Sequence, residues 1–236
     1  MTLQEIIDDS KSIVFFGGAG VSTESGIPDF RSTDGLYNMK YKYPPETILS
    51  RTFFMSNPKE FYKFYRDKLI VHNVKPNKAH LKLAELEKAG KLTAVVTQNI
   101  DGLHQAAGSK NVYELHGTIL KNHCMKCHKS YTLEYIEESG EIPVCGCGGI
   151  IKPDVVLYEE PLDDECIAGA VDAISKADTL IIGGTSLAVY PAAGFINYFG
   201  GRHLVIINKA ATSADTKAEL VIREPIGETL GKIEII

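Results

Sequence analysis

A chain of 236 residues is long enough for one substantial α/β core with a small accessory module. Its 44% hydrophobic and 23% charged content is that of a soluble globular protein, and a formal charge of −5 gives no electrostatic footprint for nucleic acid; it is compatible with a basic peptide and equally with solubility alone. The apolar runs are strand-sized, so no membrane span is expected; residues 1–10 lack the basic stretch and apolar core of a secretion signal, and a cytoplasmic location is the expectation.

Residues 2–10 read as a short helix with Leu3, Ile6 and Ile7 on one face. Ile13 to Phe16 reads as a buried strand and runs into Gly17, Gly18 and Gly20. Glycine has no Cβ, so the backbone can turn sharply and approach a ligand there. A strand feeding a glycine turn is how α/β proteins cradle a pyrophosphate. Gly18-Ala19-Gly20 supplies two glycines of a G-x-G-x-x-G fingerprint, but its third position is Thr23. A hydride-transfer enzyme would continue into a helix and a second strand ending in Asp or Glu. This chain instead continues Ser25-Gly26-Ile27-Pro28-Asp29-Phe30-Arg31, where Pro28 breaks any helix. Carboxylate, aromatic face and guanidinium then share one loop that can fold over a nucleotide. The alternative is a surface turn closed by an Asp29–Arg31 pair.

Beyond Gly35 the composition changes: nine of the 20 Phe and Tyr residues lie between Tyr37 and Tyr65. Pro58 to Ile70 reads as a helix with proline at its start. The rings form either a small aromatic core or an apolar lid over a ligand, and both can hold at once. Residues 77–89 are amphipathic, with Asn77 as N-cap, Ala79, Leu83 and Leu86 on one face and Gly90 as terminator; His80 reads as structural. Leu92 to Val96 is the next buried strand and delivers Thr97-Gln98-Asn99-Ile100-Asp101 to its carboxyl end, where open α/β sheets bind ligands. Val112 to Leu115 is a further strand and ends in His116-Gly117, a place that suits a general base. Six other histidines exist, so position alone does not decide the matter.

Cys124 and Cys127 form C-x2-C, and Cys145 and Cys147 form C-x-C, with 17 residues between the pairs. Two such knuckles in a segment poor in apolar residues fit a structural zinc site. The alternatives are two disulfides, disfavoured in a reducing compartment, or an iron–sulfur cluster. Cys166 stands alone and reads as a buried helix residue. Val155 to Tyr158 reads as extended, and 163–177 as an amphipathic helix. Thr179 to Ile182 is a strand leading into Gly183-Gly184-Thr185-Ser186, a second small-residue turn suited to phosphate or ribose. Pro191 starts a helix, His203 to Ile207 is a strand ending in Asn208-Lys209, Glu219 to Ile222 is a last strand, and Ile226 opens a terminal helix. Alternating strand, polar loop and helix predicts an α/β fold with a mostly parallel, doubly wound sheet.

The stretch from Gly18 to Arg31, G-A-G-V-S-T-E-S-G-I-P-D-F-R, resembles the signature of the sirtuins, the NAD-dependent protein-lysine deacylases. T-Q-N-I-D at 97–101, His116-Gly117 and the cysteine knuckles extend the resemblance along the chain. It implies a Rossmann-like core at about 1–34, 76–119 and 154–236, a helical lid at about 35–75 and a zinc module at about 120–153. It implies NAD contacts in the first turn at Gly18, Ala19, Gly20, Thr23, Phe30 and Arg31. Further contacts are implied at Gln98, Asn99, Ile100, Asp101 and His116, and in the second half at Gly184, Thr185, Ser186, Asn208, Lys209 and Ile226. His116 would take a proton from a ribose hydroxyl, Asn99 would order the ribose and a water, Asp101 would hold the nicotinamide amide, and Phe30 would keep water from the reactive carbon. The products would be nicotinamide, O-acetyl-ADP-ribose and deacetylated lysine.

The acylated peptide would add as a strand along Val155, Val156, Leu157 and Tyr158. Many sirtuins carry Phe-Gly-Glu where this chain has Tyr158-Glu159-Glu160. Zinc on Cys124, Cys127, Cys145 and Cys147 would be structural. Some bacterial sirtuins that accept acidic acyl groups carry Tyr-x-x-Arg where this chain has Tyr65 and Lys68, which favours acetyl-lysine here. A monomer is expected. The competing functions are mono-ADP-ribosylation of a protein and NAD sensing without catalysis.

Overall fold

Neighbouring side chains of one short strand point into opposite layers, and this sets the architecture. In β1 (Ile13–Gly17) every residue is buried. Ile13 and Phe15 join one apolar cluster, and Val14 and Phe16 join another, as the two-residue period of a strand buried on both faces requires. The structure, a computed structural model, describes residues 1–30, 35 and 41–235. After β1 come β2 (Leu92–Thr97), β3 (Val112–Glu114), β4 (Gly117–Cys124), β5 (Ser130–Thr132), β6 (Ile151–Val155), β7 (Thr179–Gly183), β8 (His203–Ile207) and β9 (Leu220–Ile222). The larger sheet has the order β3-β2-β1-β7-β8-β9, and all its pairings are parallel. Chain order reverses between β1 and β7, which opens a crevice at their carboxyl ends.

Helices cover both faces, as the sequence predicts. On one side α1 (Leu3–Asp9) brings Leu3, Ile6 and Ile7 against Ile13 and Phe15. After it in chain order come α2 (Pro45–Ile48), α3 (Arg51–Ser56), α4 (Pro58–Phe64), α5 (Lys78–Lys88), α6 (Leu103–Ala107), α7 (Leu133–Glu138), α8 (Asp164–Lys176) and α9 (Ile226–Leu230). Leu83 and Leu86 of α5 and Leu230 of α9 share the layer of α1. Ala170 and Ile174 of α8 cover the opposite face with Ala193 and Phe195. The segment after Pro191 is a 3-10 helix, Ala192–Tyr198, where the sequence predicts an α-helix. Capping follows the sequence closely. Thr2 and Glu5 form a capping box on α1, Asn77 caps α5 through Ala79 N at 2.9 Å, and Asp163 caps α8 through Cys166 N at 2.7 Å. His80 completes the α5 cap by accepting the Asn77 N–H at Nδ1, 3.2 Å away, which is a structural role.

A second sheet, antiparallel and ordered β5-β4-β6, is absent from the sequence reading. Its strand β6 ends at Val155, where the predicted extended segment begins. Pro153 hides this strand, because a proline in an extended run argues against a ladder position; β6 is an edge strand, where a missing donor is tolerated.

The segment before α5 differs from prediction too. The expected helix from Pro58 to Ile70 stops at Phe64 and widens into a π-helical turn, Tyr65–Leu69. Phe53, Phe54, Phe61, Tyr62 and Tyr65 pack against Cys124, Ile136, Cys145 and Ile151, so the aromatic segment and the cysteine hairpin share one core. Arg66 bolts them together. Its guanidinium lies over the Tyr62 ring and donates to the carbonyls of Ile136 at 2.9 Å and Gly140 at 2.7 Å, at the end of α7. Tyr62 donates its hydroxyl to the Ile151 carbonyl. Arg66→Ala should therefore cost about 1–3 kcal/mol, because several carbonyls lose a charged donor at once; urea unfolding measures it, and an unchanged midpoint would remove the bolt from this account. Among the described residues no helix is long and apolar enough to cross a membrane.

Candidate active site

The two small-residue turns meet at the crevice. Gly17 and Gly183 are partners across β1 and β7. The Gly18 N–H donates to the Gly183 carbonyl at 3.3 Å, and the Gly20 N–H to the Gly184 carbonyl at 2.8 Å. A Cβ on Gly18 would sit 2.9 Å from Thr185 Cβ, and one on Gly20 would sit 2.8 Å from Gly184 Cα. The nearest demand for glycine is thus the approach of one turn to the other. Ala19 and Thr23 are both half-buried, and the Thr23 hydroxyl donates to the Gly20 carbonyl at 3.0 Å. Thr185 is buried and accepts the Gln98 side-chain amide at 3.0 Å, whereas Ser186 is exposed beside it. Asn208 is held by Ala210, and Lys209 is exposed. The Ile226 side chain is buried beneath Gly183, in the layer of α1, α5 and α9.

From β2 the chain delivers a hydrogen-bonded cluster. Asn99 is anchored through its own N–H to Thr97 Oγ1 at 3.0 Å and donates its side-chain amide to Ser22 Oγ at 3.1 Å. Ser22 in turn donates to Asp101 Oδ2 at 2.6 Å, and the other Asp101 oxygen accepts the Leu103 N–H at 2.9 Å. Since His80 Nδ1 accepts the Asn77 N–H, its proton sits on Nε2, 3.5 Å from Ser22 Oγ. Ser22 thus ties the first turn to Asn99 and Asp101. The sequence reading missed it, because a hydroxyl in a glycine loop is unremarkable without its partners. Beneath the cluster His104 lies buried, 4.8 Å from the His80 ring, and burial with the neighbouring His80 pushes its pKa down to about 3. Phe30 and Ile100 both pack against the aromatic core that holds Phe53, Phe61 and Tyr65. Arg31, and with it an Asp29–Arg31 pair, lies outside the described residues, as does Tyr37.

His116 stands where β3 passes into β4. Its Nδ1 is 3.1 Å from the Gln98 carbonyl. A carbonyl only accepts, so Nδ1 carries the proton and the Nε2 lone pair is left as a base. Burial lowers the His116 pKa below the ordinary imidazole value, although the Gln98 carbonyl opposes this. The neutral, basic form therefore persists to lower pH than in a free histidine. Any reaction that uses His116 as base should lose rate on acidification only below about pH 6.5, which a kcat/KM profile from pH 5 to 8 would show. An acidic limb centred above 7 would contradict the assignment.

The segment 155–158 runs past this histidine. The Val156 N–H donates to the His116 carbonyl at 2.9 Å. Val155 and Leu157 are buried in the cluster of Phe53, Phe61 and Tyr65, while Val156 is half-buried and Tyr158 exposed. Tyr158 is paired to the start of α3 through both main-chain groups: its N–H donates to the Leu49 carbonyl at 2.9 Å, and its carbonyl accepts the Arg51 N–H at 3.0 Å.

On the hairpin, the sulfurs of Cys124, Cys127, Cys145 and Cys147 all lie within 4.8 Å of one another. Cys124 and Cys147 are 3.5 Å apart and Cys127 and Cys145 3.6 Å apart, against about 3.8 Å for a tetrahedron with Zn–S bonds near 2.3 Å. The Cys147 amide and the Tyr131 hydroxyl, 3.0 Å from Cys145 Sγ, pull Cys145 down to about 6. The Gly149 amide favours a Cys147 thiolate, yet the Cys127, Cys124 and Cys145 sulfurs push it up to about 12. Sulfurs this close ionise together only around a cation, and the set fits zinc with no position left open for chemistry. Cys166 on α8 is half-buried, away from the knuckles.

A profile of the Sir2 family matches residues 18–191. The NAD-dependent protein deacetylase of Clostridium perfringens is 65% identical over 235 residues, which cover 98% of this chain and 96% of that protein. That of Clostridium acetobutylicum is 62% identical over 232 residues, covering 97% and 95%. A Sir2 solved with a deacetylated p53 peptide and 3'-O-acetyl ADP ribose aligns with a TM-score of 0.89 at 40% identity, over 98% of this chain and 96% of that one. A Sir2 solved with a p53 peptide and NAD+ aligns at 0.87 and 39% identity, over 98% and 96%.

Proposed function

The chain belongs to the Sir2 family, and on that premise we propose that it is an NAD-dependent protein-lysine deacetylase that yields nicotinamide, O-acetyl-ADP-ribose and deacetylated lysine. One observation carries the assignment of its base: His116 has its Nδ1 proton committed to the Gln98 carbonyl and its Nε2 free, on the edge of the switch-point crevice.

Bound NAD supplies a ribose carbon that becomes electrophilic as the nicotinamide leaves. The turns Gly18–Gly20 and Gly184–Ser186 would hold its phosphates and ribose, with Thr23, Gln98, Asn208 and Lys209 around them. Asn99 and Asp101, locked by Ser22, would orient the nicotinamide half. Such locking removes the side-chain freedom that would otherwise be lost on binding. Phe30 and Ile100, seated on the lid core, would exclude water. His116 would accept a ribose hydroxyl proton at Nε2. An acetylated protein lysine would enter along residues 155–158, where the Val156–His116 hydrogen bond keeps the peptide shelf beside the base. Zinc on the four cysteines would brace the hairpin.

On the same reading the chain divides into a Rossmann-like core at about 1–34, 76–119 and 154–236, a lid at about 35–75 and a zinc module at about 120–153. The shared aromatic core supports treating the last two as one body. Lys68 keeps its charge, paired with Asp67 at 3.0 Å, but an ammonium lacks the bidentate fork that would grip an acidic acyl group, which supports acetyl as the preferred group. The unpaired cysteines fit a reducing cytoplasm, and the acidic balance supports a protein partner over nucleic acid. We take the active species to be a monomer.

The test is an acetylated peptide incubated with and without NAD, with products weighed by mass spectrometry. Equal yields of deacetylated peptide and O-acetyl-ADP-ribose are expected. ADP-ribose attached to protein, with the acetyl group retained, would overturn the reading in favour of transfer to protein.

A further inference from the structure

The backbone at Glu159 has φ +74, in the left-handed region that a β-carbon disfavours. Glycine is the residue such a backbone favours. Here a glutamate occupies it and uses its carboxylate on the lid: Glu159 Oε2 accepts the Thr52 N–H at 2.8 Å and the Thr52 hydroxyl at 2.7 Å. The next residue repeats the connection. Glu160 Oε1 lies 3.2 Å from Arg51 Nη1, while Oε2 lies 2.9 Å from Lys152 Nζ of β6 and accepts the Leu157 N–H at 2.9 Å. With the Tyr158 main-chain pairs to Leu49 and Arg51, the peptide shelf is clasped to the lid at three successive residues, and its other end is tied to His116.

We propose that Glu159 is a positioning residue for the acylated peptide, registering residues 155–158 against α3 so that the acyl-lysine enters beside His116. The inference rests on the reading that 155–158 is the peptide shelf. Glycine tolerates the backbone that glutamate is held in, so replacing Glu159 by glycine relieves the conformation and removes only the clasp. This separates positioning from stability.

The experiment measures steady-state kinetics for Glu159→Gly, Thr52→Ala and the double variant, with acetylated peptide and NAD varied in turn. Glu159→Gly should keep or raise the thermal midpoint, raise KM for peptide roughly fivefold, and leave KM for NAD within a factor of two. Thr52→Ala should move the same parameter less, since the Thr52 N–H still donates. The double variant should be no worse than Glu159→Gly, because the two side chains act through one contact. Glu159→Gln, which keeps an acceptor oxygen, should recover most of the peptide KM. A parental protein that deacetylates, with Glu159→Gly retaining the parental peptide KM or the two single effects simply adding, overturns this inference alone. A parental protein with no NAD-dependent deacetylation overturns the proposed function and this inference with it.

Discussion

His116→Ala should fold as the parent does and lose deacetylation by a factor of about 10²–10⁴, the usual contribution of a positioned general base. The side chain is half-buried and contributes one hydrogen bond, to the Gln98 carbonyl, so its removal costs only about 1 kcal/mol of stability. Asn99, Asp101 and Ser22 bond to one another without it, so NAD should still bind with near-parental affinity. Circular dichroism, NAD titration and turnover measured on one preparation separate these effects. A folded variant that binds NAD and turns over at the parental rate would remove His116 from the mechanism.

Removing zinc should have the second large effect, on stability before activity. Cys124 and Cys145 are at once members of the proposed ligand set and of the lid's apolar core, packed with Phe54, Tyr62 and Tyr65. A hairpin with so little apolar surface of its own relies on the metal for folding free energy. A loss of roughly 4 kcal/mol would lower the melting midpoint by about 10 °C in a chain of this size. Chelation or Cys145→Ser should therefore melt the hairpin and loosen the lid, and peptide turnover should fall with it. Differential scanning with and without chelator, paired with metal analysis, checks this. A midpoint that stays put after zinc is lost would contradict the brace.

The parallel sheet was legible because its strands are continuous apolar runs, such as Ile13 to Phe16 and Thr179 to Ile182, and their polar ends name the crevice. The cysteines were legible because ligand spacing is local. What escaped was whatever depends on a distant partner. The edge position of β6 makes Pro153 harmless, and no local pattern reveals it. Ser22 matters through Asn99 and Asp101, 77 and 79 positions away. The left-handed backbone of Glu159 sets its carboxylate against Thr52, 107 positions away. The helix predicted through Tyr65 widened because Tyr65, Leu69 and Arg66 answer to the hairpin core and to α7 more than to helical period.

The abutting turns at Gly18–Gly20 and Gly184–Thr185 have a consequence for energetics. Because each turn is fastened to the other by main-chain bonds, the seat proposed for the dinucleotide is assembled before anything docks. Little free energy is then diverted to shaping it. A methyl group added at Gly20, 2.8 Å from Gly184 Cα, should push these turns apart and weaken NAD affinity.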